Sequence, residues 1–270
     1  MKKIVLWFFA SVMMTCVCRA QDDEIFTRVS SHEDFSLKDV KVLAIPTQGA
    51  YFVSGNELYA LSEESELKGM VFPVSMAIDD IIWNETDFII KSGNMVYAFN
   101  DISTPRLRFE TDDFRIFPCD KGNIYVVREL GDTSILYMAN LKLKKTRRML
   151  NLPGNILDIS KRNDALWVTT NECIYKFKDS KCQILLWFDK KVHSVTMADG
   201  GLLFATEDEI NILVGENHFV TLFRGGNRGL LYDGEWLYLI TDQYDLVRCA
   251  GFYIDVFLMM LDAIPVMESE

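Results

Sequence analysis

One strand–turn–strand unit recurs along the chain at a nearly fixed interval. It is clearest at Leu166–Phe177, LWVTTNECIYKF. An apolar run ends in Thr169-Thr170-Asn171-Glu172, and an alternating run follows with Cys173, Tyr175 and Phe177 on one face. Related stretches open at Tyr51, Phe88, Ile124, Leu203 and Leu237, so the intervals are 37, 36, 42, 37 and 34 residues. A supersecondary unit repeated at roughly 20–50 residues implies an array of similar modules, because one unit cannot bury its own apolar faces. Around each anchor the sequence supplies four short strand-like runs bounded by Gly, Asn and Asp. No stretch of helical period separates them.

Four-stranded units at this interval predict an all-β fold, a six-bladed β-propeller of antiparallel four-stranded blades. Radial closure makes such short amphipathic sheets soluble, because each buries its faces against its neighbours. A two-sheet sandwich explains the strand count but not the period. The expected organisation is a leader over 1–20, a lead or closing strand over 21–38, the propeller over 39–262 and a polar tail over 263–270.

The leader has a positive start at Lys2 and Lys3, an apolar run over Ile4–Met14, and Cys18-Arg19-Ala20 before an acidic stretch. That is the form of a secretory signal peptide, cut after Ala20. The apolar run is shorter than the roughly 20 residues a membrane helix needs, so no transmembrane span is expected in the mature chain. Lipidation at Cys16 or Cys18 is the alternative. The expected location is periplasmic or secreted, or lipid-anchored in the alternative. The chain carries 28 basic and 39 acidic residues, a net charge of −11. Such a field repels phosphate backbones and argues against nucleic acid as a partner. Beyond the leader four cysteines remain: Cys119, Cys173, Cys182 and Cys249. A two-residue turn at Asp179-Ser180 would pair Phe177 with Cys182 and set Cys173 opposite Leu186, which speaks against a 173–182 disulfide. No pair has the spacing of a zinc or redox motif.

LWVTTNECIYKF and LFATEDEINIL resemble the repeats of bacterial extracytoplasmic propellers, in particular the two-component regulator propeller repeat, with its Leu-Trp-x-x-Thr before a turn and an apolar-aromatic run after it. The likeness spans roughly 40–260. It implies a propeller outside the cytoplasm and, for the regulator family, ligand sensing. No membrane span or kinase segment follows the last repeat here, so the resemblance is expected to carry fold and compartment rather than signalling.

In such a fold the turns between second and third strands share one rim with the connections between units. Glu57, Glu172, Glu207, Asp208 and Asp242 make that rim acidic, and Arg224 and Arg228 in RGGNRG are its main cations. The expected role is docking of a protein or small ligand. Channel-facing carboxylates at Asp79, Asp80 and Asp158, with His193, form the alternative: a Ca²⁺ site supporting metal-dependent lactonase or esterase chemistry. No other cofactor is expected. No nucleophile elbow, phosphate loop or H-E-x-x-H motif occurs. Among the tryptophans, Trp167 and Trp236 are expected in the core. The basic stretch Lys142–Arg148 is expected on an outer edge strand, where cations discourage edge-to-edge pairing.

Overall fold

The computed structural model describes residues 27–28, 41–45, 49–54, 57–61, 67–70, 76–84, 87–99, 103–120, 122–162, 164–198, 201–214, 218–251 and 254. Residues 1–20 and 263–270, expected as leader and tail, lie outside them. Strand β1 (Thr27–Arg28) comes first. The first sheet is β2 (Lys41–Ile45), β3 (Gly49–Ser54), β4 (Glu57–Leu61) and β5 (Leu67–Met70). The second is β6 (Asp80–Trp83), β7 (Phe88–Ser92), β8 (Met95–Ala98) and β9 (Leu107–Arg108). The third is β10 (Arg115–Pro118), β11 (Asn123–Leu130), β12 (Thr133–Asn140) and β13 (Lys145–Pro153). The fourth is β14 (Ile156–Arg162), β15 (Ala165–Thr170), β16 (Cys173–Lys178) and β17 (Lys181–Trp187). The fifth is β18 (Ser194–Ala198), β19 (Gly201–Ala205), β20 (Glu209–Val214) and β21 (His218–Arg224). The last joins β22 (Asn227–Tyr232), β23 (Trp236–Thr241) and β24 (Leu246–Ala250) to β1, which pairs antiparallel with β24 through Thr27–Arg248 and Arg28–Val247.

The protein is therefore all-β, with antiparallel four-stranded blades in a propeller arrangement. Six four-stranded sheets form among the described residues, but the arrangement counts as five propeller blades, one fewer than the six expected.

The turn chemistry explains why these strands begin and end where they do. Thr170 Oγ1 accepts from Cys173 N at 3.1 Å and donates to Cys173 O at 3.2 Å. Thr206 Oγ1 lies 3.4 Å from Glu209 O, and Thr241 Oγ1 accepts from Asp245 N at 3.1 Å. A threonine at the close of the second strand thus fixes the same tight turn in three sheets. Asp233 does the equivalent work lower down, accepting from Glu235 N at 2.8 Å and Trp236 N at 2.7 Å. Asp179 and Ser180 both have positive φ, 50° and 63°, the two-residue hairpin geometry.

Between the sheets lie apolar layers. Phe117, Leu136, Ile156 and Val168 form one cluster from the third and fourth sheets, and Trp167, Ile174, Leu202 and Leu213 another from the fourth and fifth. Each fully buried side chain of this size is worth roughly 1.5–3 kcal/mol. Trp167 is 7% exposed and belongs to the core, but Trp187 stands out at 57%. All four cysteines are free. Phe177 does pair with Cys182, but a bulge between Ile174 and Tyr175 sets Cys173 opposite Trp187 and moves Leu186 to Ile174.

Candidate functional site

The up-and-down strand order puts the second-to-third turns and the connections between sheets on one face, here called upper. The first strands of successive sheets stand beside one another: β2 by β6, β6 by β10, β10 by β14, β14 by β18, β18 by β22, and β22 by β2. Their upper ends surround a cavity of about 570 Å³. Asp79, Asp80, Arg115, Leu157, His193 and Arg228 line its mouth, together with Tyr238, Ile240 and Leu246.

Two of these side chains reach the cavity through β-bulges. In the fourth sheet Ile156 pairs with Thr170 and Asp158 with Thr169, so Leu157 is the extra residue. In the last sheet Asn227 pairs with Thr241 and Gly229 with Ile240, so Arg228 is extra. An extra residue breaks the alternation and re-aims its side chain. Asn227 anchors the second bulge by donating from Nδ2 to Thr206 O at 3.0 Å.

The charged groups at the mouth differ in how far they are committed. Asp80 Oδ1 accepts from Ile81 N at 3.0 Å and its Oδ2 from Ile116 N at 3.1 Å, tying the second sheet to the third. Asp79 Oδ2 accepts from Gly93 N at 2.6 Å and lies 3.5 Å from Lys91 Nζ. Arg115 donates to Ile156 O at 3.0 Å and stands 3.7 Å from Glu129. His193 Nε2 lies 3.0 Å from Thr206 O. Desolvation lowers the pKa of His193, with a further push from the Arg228 charge against the opposing hydrogen bond to Thr206 O. Arg228 is exposed to the cavity, with its guanidinium 5.4 Å from the centre of the Tyr244 ring. No carboxylate pairs with it among the described residues.

The residues singled out from sequence therefore separate. Asp79, Asp80, His193 and Arg228 share the mouth. Asp158 does not line it. Asp158 follows the bulge, and desolvation pushes its carboxyl up to about 6 against the opposing pull of Ser160, the Ile159 amide and Arg162. Its Oδ2 is sealed from solvent and has no hydrogen-bond partner among the described residues, although the residue as a whole is only half-buried. Among the described residues no group of three or more His, Cys, Asp or Glu gathers as a metal site would require.

Of the predicted rim residues, Arg228 alone lines this cavity among the described residues. Glu172, Glu207, Asp208 and Asp242 are exposed. Asp208 is taken up by Lys190 at 3.0 Å, which lowers its pKa, and Arg224 stands 3.6 Å from Glu209. Glu172 opens instead onto a separate cleft with Trp187, Asp132 and Asp189. Glu57 pairs with Ser54 in the ladder of the first sheet; its side chain lies outside the described residues. In RGGNRG, Gly225 N donates to Asp208 O at 2.9 Å, and a side chain at Gly226 would meet the Asp242 carboxylate at 2.9 Å. That connection is pinned to its neighbours and is not a free anion loop. Sequence reasoning missed Arg115 and Leu157. The only local sign of the Arg228 bulge is the glycine that follows it.

No family model matches the chain, and no curated protein sequence matches it. Solved structures share its fold. An extracellular domain of a putative hybrid two-component system from B. thetaiotaomicron aligns over 84% of this chain and 40% of its own, with 13% identity and a TM-score of 0.53. The calcium-binding protein regucalcin from Agrobacterium tumefaciens aligns over 83% and 95%, also at 13% identity and a TM-score of 0.53. A chain of a nidogen/laminin complex aligns over 72% and 85% at 14% identity, with a TM-score of 0.56. The chain thus spans under half the length of the two-component domain it resembles. Among the described residues no helix is long and apolar enough to cross a membrane.

Proposed function

We infer that this protein is an exported, non-catalytic binding module, a six-bladed propeller whose upper channel mouth receives a small ligand carrying an anionic group. The six-blade reading is supported by the six ladders and by the ring of first strands, in which β22 stands beside β2. Export is supported by the signal-peptide pattern of residues 1–20. The observation that carries the ligand site is Arg228: a bulge aims its guanidinium into a cavity of about 570 Å³, and no carboxylate pairs with it among the described residues. A guanidinium fork favours a carboxylate or phosphate in two-point contact. The apolar wall at Leu157, Ile240 and Leu246 suits the body of an organic acid.

Binding is better supported than metal-dependent hydrolysis with Ca²⁺. Both oxygens of Asp80 already accept backbone N–H groups, Asp79 is held by Gly93 and Lys91, and Asp158 lies off the cavity wall. The partner is accordingly a small ligand at the upper face.

The test is thermal unfolding of the mature protein against a panel of small carboxylates and phosphates, run in parallel on Arg228→Ala. A ligand at 100 times its dissociation constant stabilises the folded state by about 2.7 kcal/mol, roughly 5–10 °C for a chain of this size. The reading expects a shift in the native protein that Arg228→Ala loses. An equal shift in both proteins refutes it.

A further inference from the structure

The second large cavity lies on the lower face, between the third and fourth sheets. It is a groove of about 590 Å³. Met138 and Met149 floor it on one side, Leu166 and Phe177 on the other. Its lips are basic: Arg147 and Arg148 from β13 face Lys161 and Lys178 from the fourth sheet. Three aspartates also border it. Asp120 pairs with Lys161 at 3.4 Å, and Asp164 and Asp179 sit at turn positions with φ of 59° and 50°.

The basic lip continues along the edge of the molecule. Lys142, Lys144, Lys145, Arg147 and Arg148 are all exposed, with Leu143 at 67% between them. None of these five cations has an acidic partner among the described residues, and Lys144 Nζ meets only Pro105 O, at 3.4 Å. This happens in a chain of net charge −11, where carboxylates are plentiful. Edge protection alone does not account for it. The outer strands β5, β9 and β17 hold one cation each, Lys68, Arg108 and Lys181, and one lysine suffices to discourage edge pairing. A bulge at Met149 adds to the effect: Leu136 pairs with Leu150 and Tyr137 with Arg148, which lets Arg148 and Met149 both border the groove.

We propose that this groove docks an acidic, extended segment of a partner protein. Its carboxylates meet Arg147, Arg148, Lys161 and Lys178, and its apolar side chains cover Met138, Leu166 and Phe177. Charge complementarity gives the sign of the occupant. The apolar floor makes it a peptide, since a phosphate chain or lipid headgroup would leave that floor uncovered. The acidic remainder of the surface favours a short segment over a long polyanion, which would be repelled beyond the patch.

The test uses the mature chain and a fluorescein-labelled twelve-residue peptide of Asp and Glu interspersed with Leu and Phe, followed by anisotropy. The result expected is saturable binding that weakens with added salt. Arg147→Glu with Arg148→Glu should weaken it at least tenfold, as should Lys161→Glu with Lys178→Glu on the opposite wall. Lys191→Glu on the upper face should leave it unchanged. A circular dichroism spectrum matching the native protein checks that each variant is folded. Equal binding to an Asp/Glu peptide in which Gly replaces Leu and Phe overturns the proposal. So does affinity that survives both charge-reversed pairs. Binding of heparin or phosphatidylglycerol vesicles with no binding of the peptide overturns it as well.

Discussion

Asp158 offers a perturbation whose sign is opposite to intuition: neutralising a carboxylate should stabilise the protein at neutral pH. Asp80, Asp158, Ser194 and Gly229 occupy equivalent places, opposite Lys91, Thr169, Ala205 and Ile240, each one residue before the turn. Asp80 uses that place to accept from Ile116 N in the next sheet, and Ser194 uses it to accept from Leu230 N at 3.0 Å. Among the described residues Asp158 makes no such bond, and its Oδ2 is buried without a partner. Burial raises its carboxyl from 3.8 to about 6. Because the folded pKa is raised, the folded state holds this proton more tightly than the unfolded state, and stability falls as pH rises from about 4 to about 6. At 1.36 kcal/mol per pKa unit the ionised group costs about 3 kcal/mol above pH 7. About 2 kcal/mol of that develops between pH 4.5 and pH 7.5. Asp158→Asn removes the titration. Urea unfolding of both proteins at the two pH values should show the stability of the variant gaining about 2 kcal/mol on the native protein as pH rises. A difference that stays constant with pH would refute the reasoning, and one that shrinks would reverse its sign.

Other consequences follow from single contacts. Asp233 accepts from two backbone amides and from the Tyr238 hydroxyl at 2.7 Å, so Asp233→Ala should cost about 2–4 kcal/mol in urea unfolding; Asp233→Asn, which keeps the turn acceptor, should cost less. The four cysteines should separate by reactivity in the native protein. Cys182 is exposed and should react promptly with a thiol reagent. Cys173 and Cys249 are fully buried, the latter with its thiol pushed up to about 12, and should react only on unfolding.

The period of the turns carried most of the legible fold. A threonine or serine ending the second strand, as at Ser92, Thr170, Thr206 and Thr241, is a local device, and local devices can be read from sequence. Pairing of Phe177 with Cys182 followed from the Asp179-Ser180 turn for the same reason. What failed to show was whatever depends on a neighbouring sheet. The bulges at Leu157, Met149 and Arg228 shift register by one residue without a marked change in composition. Cys173 faces Trp187 rather than Leu186 because of a fourth bulge. The sequence offers Asp79 and Asp80 as a pair of carboxylates on an inner strand, and gives no sign that Ile116 N, 36 residues on, takes one oxygen of Asp80. Asp158 looked like their equivalent, and only the packing around β14 shows that it is sealed away from the cavity.

The proposed ligand site is the channel mouth beside Arg228. A crystal structure of the mature protein soaked in small organic carboxylates at millimolar concentration tests it most directly. Density is expected in the mouth, with a carboxylate about 3 Å from the Arg228 guanidinium and an apolar body against Leu157. An empty mouth across the panel, or ligand bound on another surface with the mouth vacant, would contradict it.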